Sequence, residues 1–419
     1  MRMKDVIAII GNTGVGKSKL AVQIAQRVGG EIINADAMQM YKGIPIITNK
    51  HPERERRGVP HHMLGFVDWR HQYTAHDFSK DAVSVIDGIY SRGKVPILVG
   101  GTHYYLNSVL LNMTLDAEDV EVPAYLDEKS NDELHEILQR VDPPLSQKFH
   151  PNDRRKVLKA ISYQLCTGTR LSDAYLAQKA RPPPPAYRTL LLWVYCEPET
   201  LSARLDARVD DMVADGLLDE VKQLHEFYTT TKSPADVGPL QAIGFKECLA
   251  WAESGSEEDK TDGIEATKRA TRKYAKYQTR FIRKKTLLHT RQLRDAYPDH
   301  GLDVYLLDST VLSSWDINVG ERGENIATLF LNGTTSDEPF APDQLKHLLE
   351  PPKNYDLSDR PDLWLHKTCD ICTVAGKPMI LVGEEAWQEH LRSQRHRRGV
   401  RGAKKLAAYE AWKKANAMN

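Results

Sequence analysis

Short apolar runs alternate with stretches of helical periodicity along most of the chain. Residues 6–10, 31–35, 95–99, 189–195 and 304–307 read as strands. Strands separated by helices predict a parallel sheet with crossover connections, the α/β class. The pattern changes between residues 122 and 180, where stretches 131–141 and 153–165 are helical, no strand is evident, and the segment closes on Arg181-Pro182-Pro183-Pro184-Pro185. A helix cannot continue through that run, so this is a helical insertion ending in a stiff hinge. Residues 200–229 carry apolar positions at Leu201, Leu205, Val209, Met212, Val213, Leu217, Val221 and Leu224, which predicts one long helix. A helix near 324–331 precedes a stretch rich in Pro, Asp, Ser and Thr that reads as a linker to a small appended module. The expected organisation is a core in two parts, 1–118 and 189–333, around an insertion at 119–188, then a linker at 334–358 and a terminal module at 359–419.

Candidate chemistry begins between the first strand and the first helix, at Gly11-Asn12-Thr13-Gly14-Val15-Gly16-Lys17-Ser18. Glycines let a backbone wrap an anion, the freed N–H groups and helix end attract it, Lys17 adds a charge, and Ser18 offers a ligand to Mg²⁺. A di- or triphosphate is therefore expected here. Enzymes that cleave nucleoside triphosphates on such a loop also need an acid after an apolar strand to organise the metal. Residues 95–99 end in Gly100-Gly101-Thr102-His103 with no acid, whereas 31–35 end in Asp36. Ligands of parallel sheets gather at the carboxyl ends of strands, so Asp36, Thr102 and the phosphate loop should share one crevice, with Asp36 facing an acceptor. Small-molecule kinases use such an acid too, and that reading stays open from these residues alone.

Composition adds one feature. The net charge is zero, yet residues 266–294 hold eleven Lys/Arg and no acid, and residues 391–419 hold nine Lys/Arg against Glu410. Two basic segments in a neutral chain point to a polyanion larger than one nucleotide. Ala270, Tyr274, Tyr277 and Phe281 recur at helical spacing inside the first segment and read as a core stripe. No apolar stretch approaches the roughly 18 residues of a membrane span, and the five scattered cysteines do not suggest a disulfide framework. A monomer in the cytosol is expected, with nuclear or mitochondrial pools open, since no signal or transit peptide precedes the first strand.

Several longer motifs carry a resemblance. Asn34-Ala35-Asp36-Ala37-Met38-Gln39-Met40-Tyr41-Lys42-Gly43, Ile47-Thr48-Asn49-Lys50, Pro60-His61-His62-Met63, Val99-Gly100-Gly101-Thr102-His103, His150-Pro151-Asn152-Asp153-x-Arg155, Arg204-x-x-x-Arg208 and Gln241-Ala242-Ile243-Gly244-Phe245 stand in the order of the tRNA dimethylallyltransferase (isopentenyltransferase) family. The chain resembles its eukaryotic, particularly fungal, branch over roughly residues 5 to 290. Asn12 replaces a proline common in the family loop, and Ala37 a common serine. The resemblance implies transfer of a dimethylallyl group from dimethylallyl diphosphate to N6 of the adenine 3′ of the anticodon in a tRNA stem-loop. It implies Asp36 as base, Lys17, Arg208, Thr13 and Mg²⁺ at the diphosphate, and tRNA contacts from Asp36, Ala37, Met38, Gln39, Thr102, Asn152, Asp153, Arg154, Arg155, Gln241, Arg272, Lys276, Gln278 and Arg280. The alternatives are an adenylate isopentenyltransferase making cytokinin, which needs neither insertion, basic helix nor terminal finger; the small-molecule kinase; and a non-catalytic RNA-binding zinc-finger protein with a degenerate phosphate loop, against which the intact Lys17, Ser18, Asp36 and Arg208 count.

The terminal module carries Cys369-x₂-Cys372, seventeen residues, then His390-x₅-His396, with Trp387 three before the first His. It resembles the matrin-type two-Cys, two-His finger, which implies structural Zn²⁺ on Cys369, Cys372, His390 and His396. His366 is a spare candidate ligand.

Overall fold

Every residue of β1 (Asp5–Gly11) after the first is buried, because its side chains alternate between two cores. Val6, Ala8 and Ile10 pack with Leu98, Leu191, Trp193 and Phe78, while Ile7 and Ile9 pack with Ile97, Leu190 and Leu192. A strand covered on both faces has no polar alternation, which is why these strands appear in the sequence as continuous apolar runs. The computed structural model describes residues 3–111, 120–334, 336–350, 365–374 and 377–417. The expected boundary at 118/119 and residues 351–358 of the expected linker lie outside the described residues.

The chain forms two compact units, one of Met1–Thr114 with Pro182–Pro352, the other of Leu115–Arg181 with Lys353–Asn419. The first contains the expected parallel sheet. β2 (Gly30–Asn34), β3 (His61–His62), β4 (Val95–Val99), β5 (Arg188–Tyr195) and β6 (Leu302–Asp308) join β1 in the order β3-β2-β4-β1-β5-β6. All pairs are parallel. Helix Lys17–Val28 covers one face with Leu20, Ala21 and Ile24, and helix Ala75–Ser91 covers the other with Phe78, Ala82 and Ile86.

Three details depart from the sequence reading. β3 is two histidines paired to Ile32 and Ile33, too short and too polar to show as a strand. The long helix expected at 200–229 is two, Pro198–Ala214 and Leu217–Thr231, broken where Gly216 turns to φ +108°. Apolar spacing runs through the break from Val213 to Leu217, so periodicity hid it. The expected linker is partly structured: the Leu306 N–H donates to the Phe340 carbonyl (2.7 Å), Arg322 pairs with Glu338 (3.0 Å), and Ala341, Leu345 and Leu348 are buried in the first core. This segment covers the outer edge of β6, which would otherwise expose unpaired backbone groups.

In the second unit, helices Asn131–Val141, Arg154–Thr167 and Leu171–Ala180 enclose Leu134, Leu138, Val157 and Ile161. The antiparallel pair β7 (His366–Val374) and β8 (Lys377–Val382) belongs to the same unit, with helices Glu384–Arg392 and Gln394–Ala417. His150 Nε2 lies 3.1 Å from the Ile380 carbonyl, and the His135 and His366 rings are 5.7 Å apart.

Gly11, in the first unit, leaves no room for a side chain. At Gly11, φ is +141° and a Cβ would lie 2.2 Å from the Val194 carbonyl oxygen. Gly11→Ala is expected to cost about 3 kcal/mol or more, read as a lower urea midpoint at unchanged m-value.

Candidate active site

After Gly11 the backbone turns through Gly14 (φ +83°) and Gly16 (φ +90°) into helix Lys17–Val28. No side chain caps that helix, so its first N–H groups face the loop as donors for an anion. Lys17 Nζ donates to the Asn12 carbonyl (2.5 Å), and Arg208 Nη1 donates to Thr13 Oγ1 (2.9 Å). Withdrawal from water pulls Lys17 down to about 8, with Asp36 opposing and Arg208 adding to the effect. Arg208 falls to about 10 for the same reason, again opposed by Asp36. Its Nε is buried and has no hydrogen-bond partner among the described residues. Two recessed cations and a donor without a partner among the described residues suit this site to an anion.

Asp36 follows β2, and its Oδ1 accepts the Met38 N–H (3.1 Å) at the start of a short 3₁₀ turn, Met38–Met40. Loss of solvent pushes its carboxyl up, against the pull of Lys17, the N–H groups of Met38 and Gln39, and Lys50. The carboxylate reaches the loop because β4 ends in two glycines. A Cβ on Gly100 would sit 2.1 Å from the Ala35 oxygen, and one on Gly101 would sit 3.3 Å from Asp36 Oδ2. Thr102 Oγ1 accepts the Ala37 N–H (3.0 Å), fixing the turn after Asp36. A cavity of about 860 Å³ is lined by Thr13, Lys17, Ser18, Asp36, Arg208 and Gln278 together.

Helix Glu257–Phe281 closes this site. Buried Gln278 accepts the Thr13 N–H (2.8 Å) and donates to the Gly101 carbonyl (3.0 Å), so it spans from the loop to the end of β4. Asn12 donates to the Ala275 carbonyl (2.6 Å) and to Thr279 Oγ1 (2.7 Å), giving this departure from the family loop two partners. His103, pulled down to about 3 by burial and by Lys17, is neutral beneath the loop, with Nε2 3.4 Å from the Gly11 nitrogen.

The other expected site residues divide into several groups. Gln39 lines the cavity with its amide donating to the Asn49 carbonyl (3.0 Å). Gln241 is exposed, donates to Gly238 (3.3 Å) and does not line the cavity. Arg272 is paired with Asp206 and Lys268 with Asp210, so the neighbouring helix neutralises part of the basic segment, whereas Lys276 and Arg280 are exposed. In the second unit, Asp153 caps helix Arg154–Thr167 and pairs with Lys156, and Asn152 and Arg155 are exposed. Arg154 donates to the carbonyls of Leu126, Asp127 and Lys129, which makes it a brace within the insertion. The core stripe expected at Ala270, Tyr274, Tyr277 and Phe281 is not the buried face: the helix buries Thr267, Thr271, Ala275 and Gln278 instead. Sequence reading assigned no role to Lys50, which lines the cavity, donates to the Gly43 carbonyl (2.6 Å) and Thr48 Oγ1 (2.9 Å), and is lowered to about 8 by desolvation. Its place in the Ile47–Lys50 motif was the available signal.

Cys369, Cys372, His390 and His396 bring one donor atom each within 4.8 Å of one another. His396 Nδ1 lies 3.5 Å from Cys369 Sγ, 3.8 Å from Cys372 Sγ and 3.1 Å from His390 Nε2. A tetrahedron with Zn–S near 2.3 Å and Zn–N near 2.0 Å has S···N and N···N edges of about 3.5 and 3.3 Å, so the set is compatible with zinc. His366 stands against His135, outside the cluster.

A phosphate loop after β1, a carboxylate after β2 and no acid after β4 define a group transferase on a P-loop scaffold. Residues 39–285 match the family described as IPP transferase, and residues 4–59 match Isopentenyl transferase. The chain is 41% identical to the tRNA dimethylallyltransferase of Saccharomyces cerevisiae, over 98% of this chain and 95% of that one. It is 32% identical to the Homo sapiens tRNA dimethylallyltransferase, over 97% and 88%. A crystal structure of a eukaryotic dimethylallyltransferase acting on tRNA superposes with a TM-score of 0.80 at 40% identity, covering 98% of this chain and all of that one. This chain belongs to the tRNA dimethylallyltransferase family.

The charge of Lys17 yields a pH dependence. As pH rises through about 8 the unliganded lysine loses its proton, so its advantage for an anion fades. The ratio of pyrophosphate affinities between the wild-type protein and Lys17→Met, followed by calorimetry from pH 7 to 9.5, is expected to shrink above about pH 8. Lys50 lines the same cavity and is lowered to about 8 as well, so any advantage it gives to pyrophosphate should fade over the same pH range in the Lys50→Met comparison.

Proposed function

We propose that this protein transfers a dimethylallyl group from dimethylallyl diphosphate to N6 of the adenine 3′ of the anticodon in tRNA and releases diphosphate. The observation that carries this reading is the shared cavity, in which Asp36 faces Lys17, Arg208 and the phosphate loop. The allylic C–O bond breaks with its electron pair moving to the bridging oxygen, where Lys17, Arg208 and the loop N–H groups stabilise the charge. Preorganised donors of this kind are worth about 3–4 kcal/mol each. The adenine amine is a weak nucleophile because its lone pair is delocalised, so the N6–C bond forms as Asp36 takes the N6 proton. Desolvation raises the basicity of that carboxylate toward the working pH, and positioned base catalysis contributes about 10²–10⁴-fold. Ser18, on the cavity wall where the loop enters its helix, would hold Mg²⁺, which would supply further charge to the leaving diphosphate.

The exposed Lys273, Lys276 and Arg280 supply attraction for the anticodon stem-loop, whose target base must leave its stack. Cytosolic, monomeric action, with nuclear and mitochondrial tRNA pools as further substrates, belongs to the same proposal. Among the described residues no helix is long and apolar enough to cross a membrane. The terminal Cys/His cluster binds one structural zinc, since four protein ligands leave no open position for catalysis.

Incubation with labelled dimethylallyl diphosphate and, separately, tRNA, AMP or ATP tests the reaction. Label is expected in tRNA alone; label in AMP, or phosphate moved from ATP, contradicts it. Asp36→Ala should lower turnover by at least about 10²-fold while tRNA affinity stays near the wild-type value; equal loss of both would make Asp36 a binding residue. For the cluster, metal analysis of the full-length protein should find one zinc per chain, and Cys369→Ser should lose it and open the segment from residue 366 onward to protease, with transfer at saturating tRNA retained.

A further inference from the structure

Helix Glu257–Phe281 inverts the usual partition of residues. It buries Thr267, Thr271 and Gln278, while Tyr277 is 50% exposed. Burying threonines and leaving a tyrosine in water is the opposite of what transfer energies favour. The aromatic rings are ordered all the same. Tyr274 and Tyr277 stack with centroids 6.5 Å apart and planes 18° from parallel, Tyr277 and Phe281 are 6.1 Å apart, and Phe281 lies against His103 at 6.0 Å.

The inner end of this row reaches the candidate base. Tyr274 Oη lies 3.4 Å from the Gly101 carbonyl, the same oxygen that Gln278 holds, and the Gly101 α-carbon faces the Asp36 carboxylate. The outer end is Tyr277, with Lys273 four residues before it and Arg280 three after, on one face of the helix and exposed. An aromatic plane between two cations is suited to an unpaired base whose flanking phosphates are gripped on either side.

We propose that Tyr277 is a stacking platform for an unpaired anticodon-loop base next to the one delivered to Asp36. This inference rests on the tRNA reading above. Extracting the target adenine removes a stacking partner from its neighbour, at a cost of a few kcal/mol. The Tyr277 ring replaces that partner, and the row from Tyr277 to Tyr274 leads from the basic face inward to the carboxylate. Tyr277 is thus a binding residue that stabilises the extruded state of the loop.

Full-length protein and an unmodified tRNA transcript provide the test. Tyr277→Ala is expected to raise the Kd for tRNA by about 10- to 100-fold, the range for loss of one base–aromatic stack. Its slope of log Kd against log salt should stay at the wild-type value, whereas Lys273→Gln should reduce that slope by about one. Tyr277→Trp should bind like the wild type. Affinity for pyrophosphate and the melting temperature should change little in all three, because the ring is half in water. The proposal is overturned if Tyr277→Ala binds tRNA normally, or if Tyr277→Leu binds as well as Tyr277→Trp, since that would mean simple apolar contact. A wild-type protein that neither binds nor labels tRNA would instead overturn the functional reading.

Discussion

The structure turns on an electrostatic imbalance. Lys17 and Arg208 are drawn out of water into one cavity, where Asp36 is the carboxylate that acts on both, and both lose basicity there. Desolvated charges of that kind are kept only where something compensates them. Asp36 is part of the compensation, and the buried Arg208 Nε, without a partner among the described residues, offers a further donor to an anion. One arrangement therefore serves both halves of the reaction. In the proposed reaction the cations would hold the leaving diphosphate, and the same desolvation would make the carboxylate a better proton acceptor. The glycines at the end of β4 matter to this arrangement, because a side chain on Gly101 would press on the Asp36 carboxylate and on Gln278.

Sequence periodicity showed the sheet and missed its exceptions for identifiable reasons. Five strands were legible because burial on both faces demands unbroken apolar runs. The sixth, β3, is held by pairing to β2 and carries histidines, one bonded to Glu31 (2.6 Å), so no hydrophobic signal marks it. The break at Gly216 was masked because apolar positions on the two helices continue the same spacing across it. The segment before residue 350 has linker composition and yet packs, because an open β6 edge and an apolar face accept it.

The site was legible where chemistry dictates residue type and obscure where geometry does. The phosphate loop, Asp36 and Arg208 were expected from residue type and motif, and the structure brings them to one cavity. Gln278 was read as a tRNA contact, but both ends of its amide are engaged by Thr13 and Gly101. Arg154, read the same way, spends its guanidinium on carbonyls of the insertion. Nothing in a one-dimensional pattern separates an arginine that meets phosphate from one that meets the protein's own backbone. The helix Glu257–Phe281 misled for a related reason: an apolar period points to a face without saying which partner covers it, and here Thr271, Ala275 and Gln278 face inward.

Asn12 shows how a departure from the family pattern fits the same frame. A proline at this position stiffens the loop through its ring but offers no donor. Asn12 forgoes that stiffness and instead places two hydrogen bonds on helix Glu257–Phe281, at the Ala275 carbonyl and at Thr279. Each is worth about 0.5–1.5 kcal/mol net, enough together to offset the lost restriction of the unfolded chain, roughly 1 kcal/mol. The exchange has a mechanical effect besides its energy. With Gln278 holding Thr13 from the same turn of the helix, the phosphate loop is tied at two successive residues to the element that carries the exposed basic residues. Three hydrogen bonds thus join the phosphate loop to the helix that carries the exposed Lys273, Lys276 and Arg280, so a displacement of that helix would pull on the loop directly.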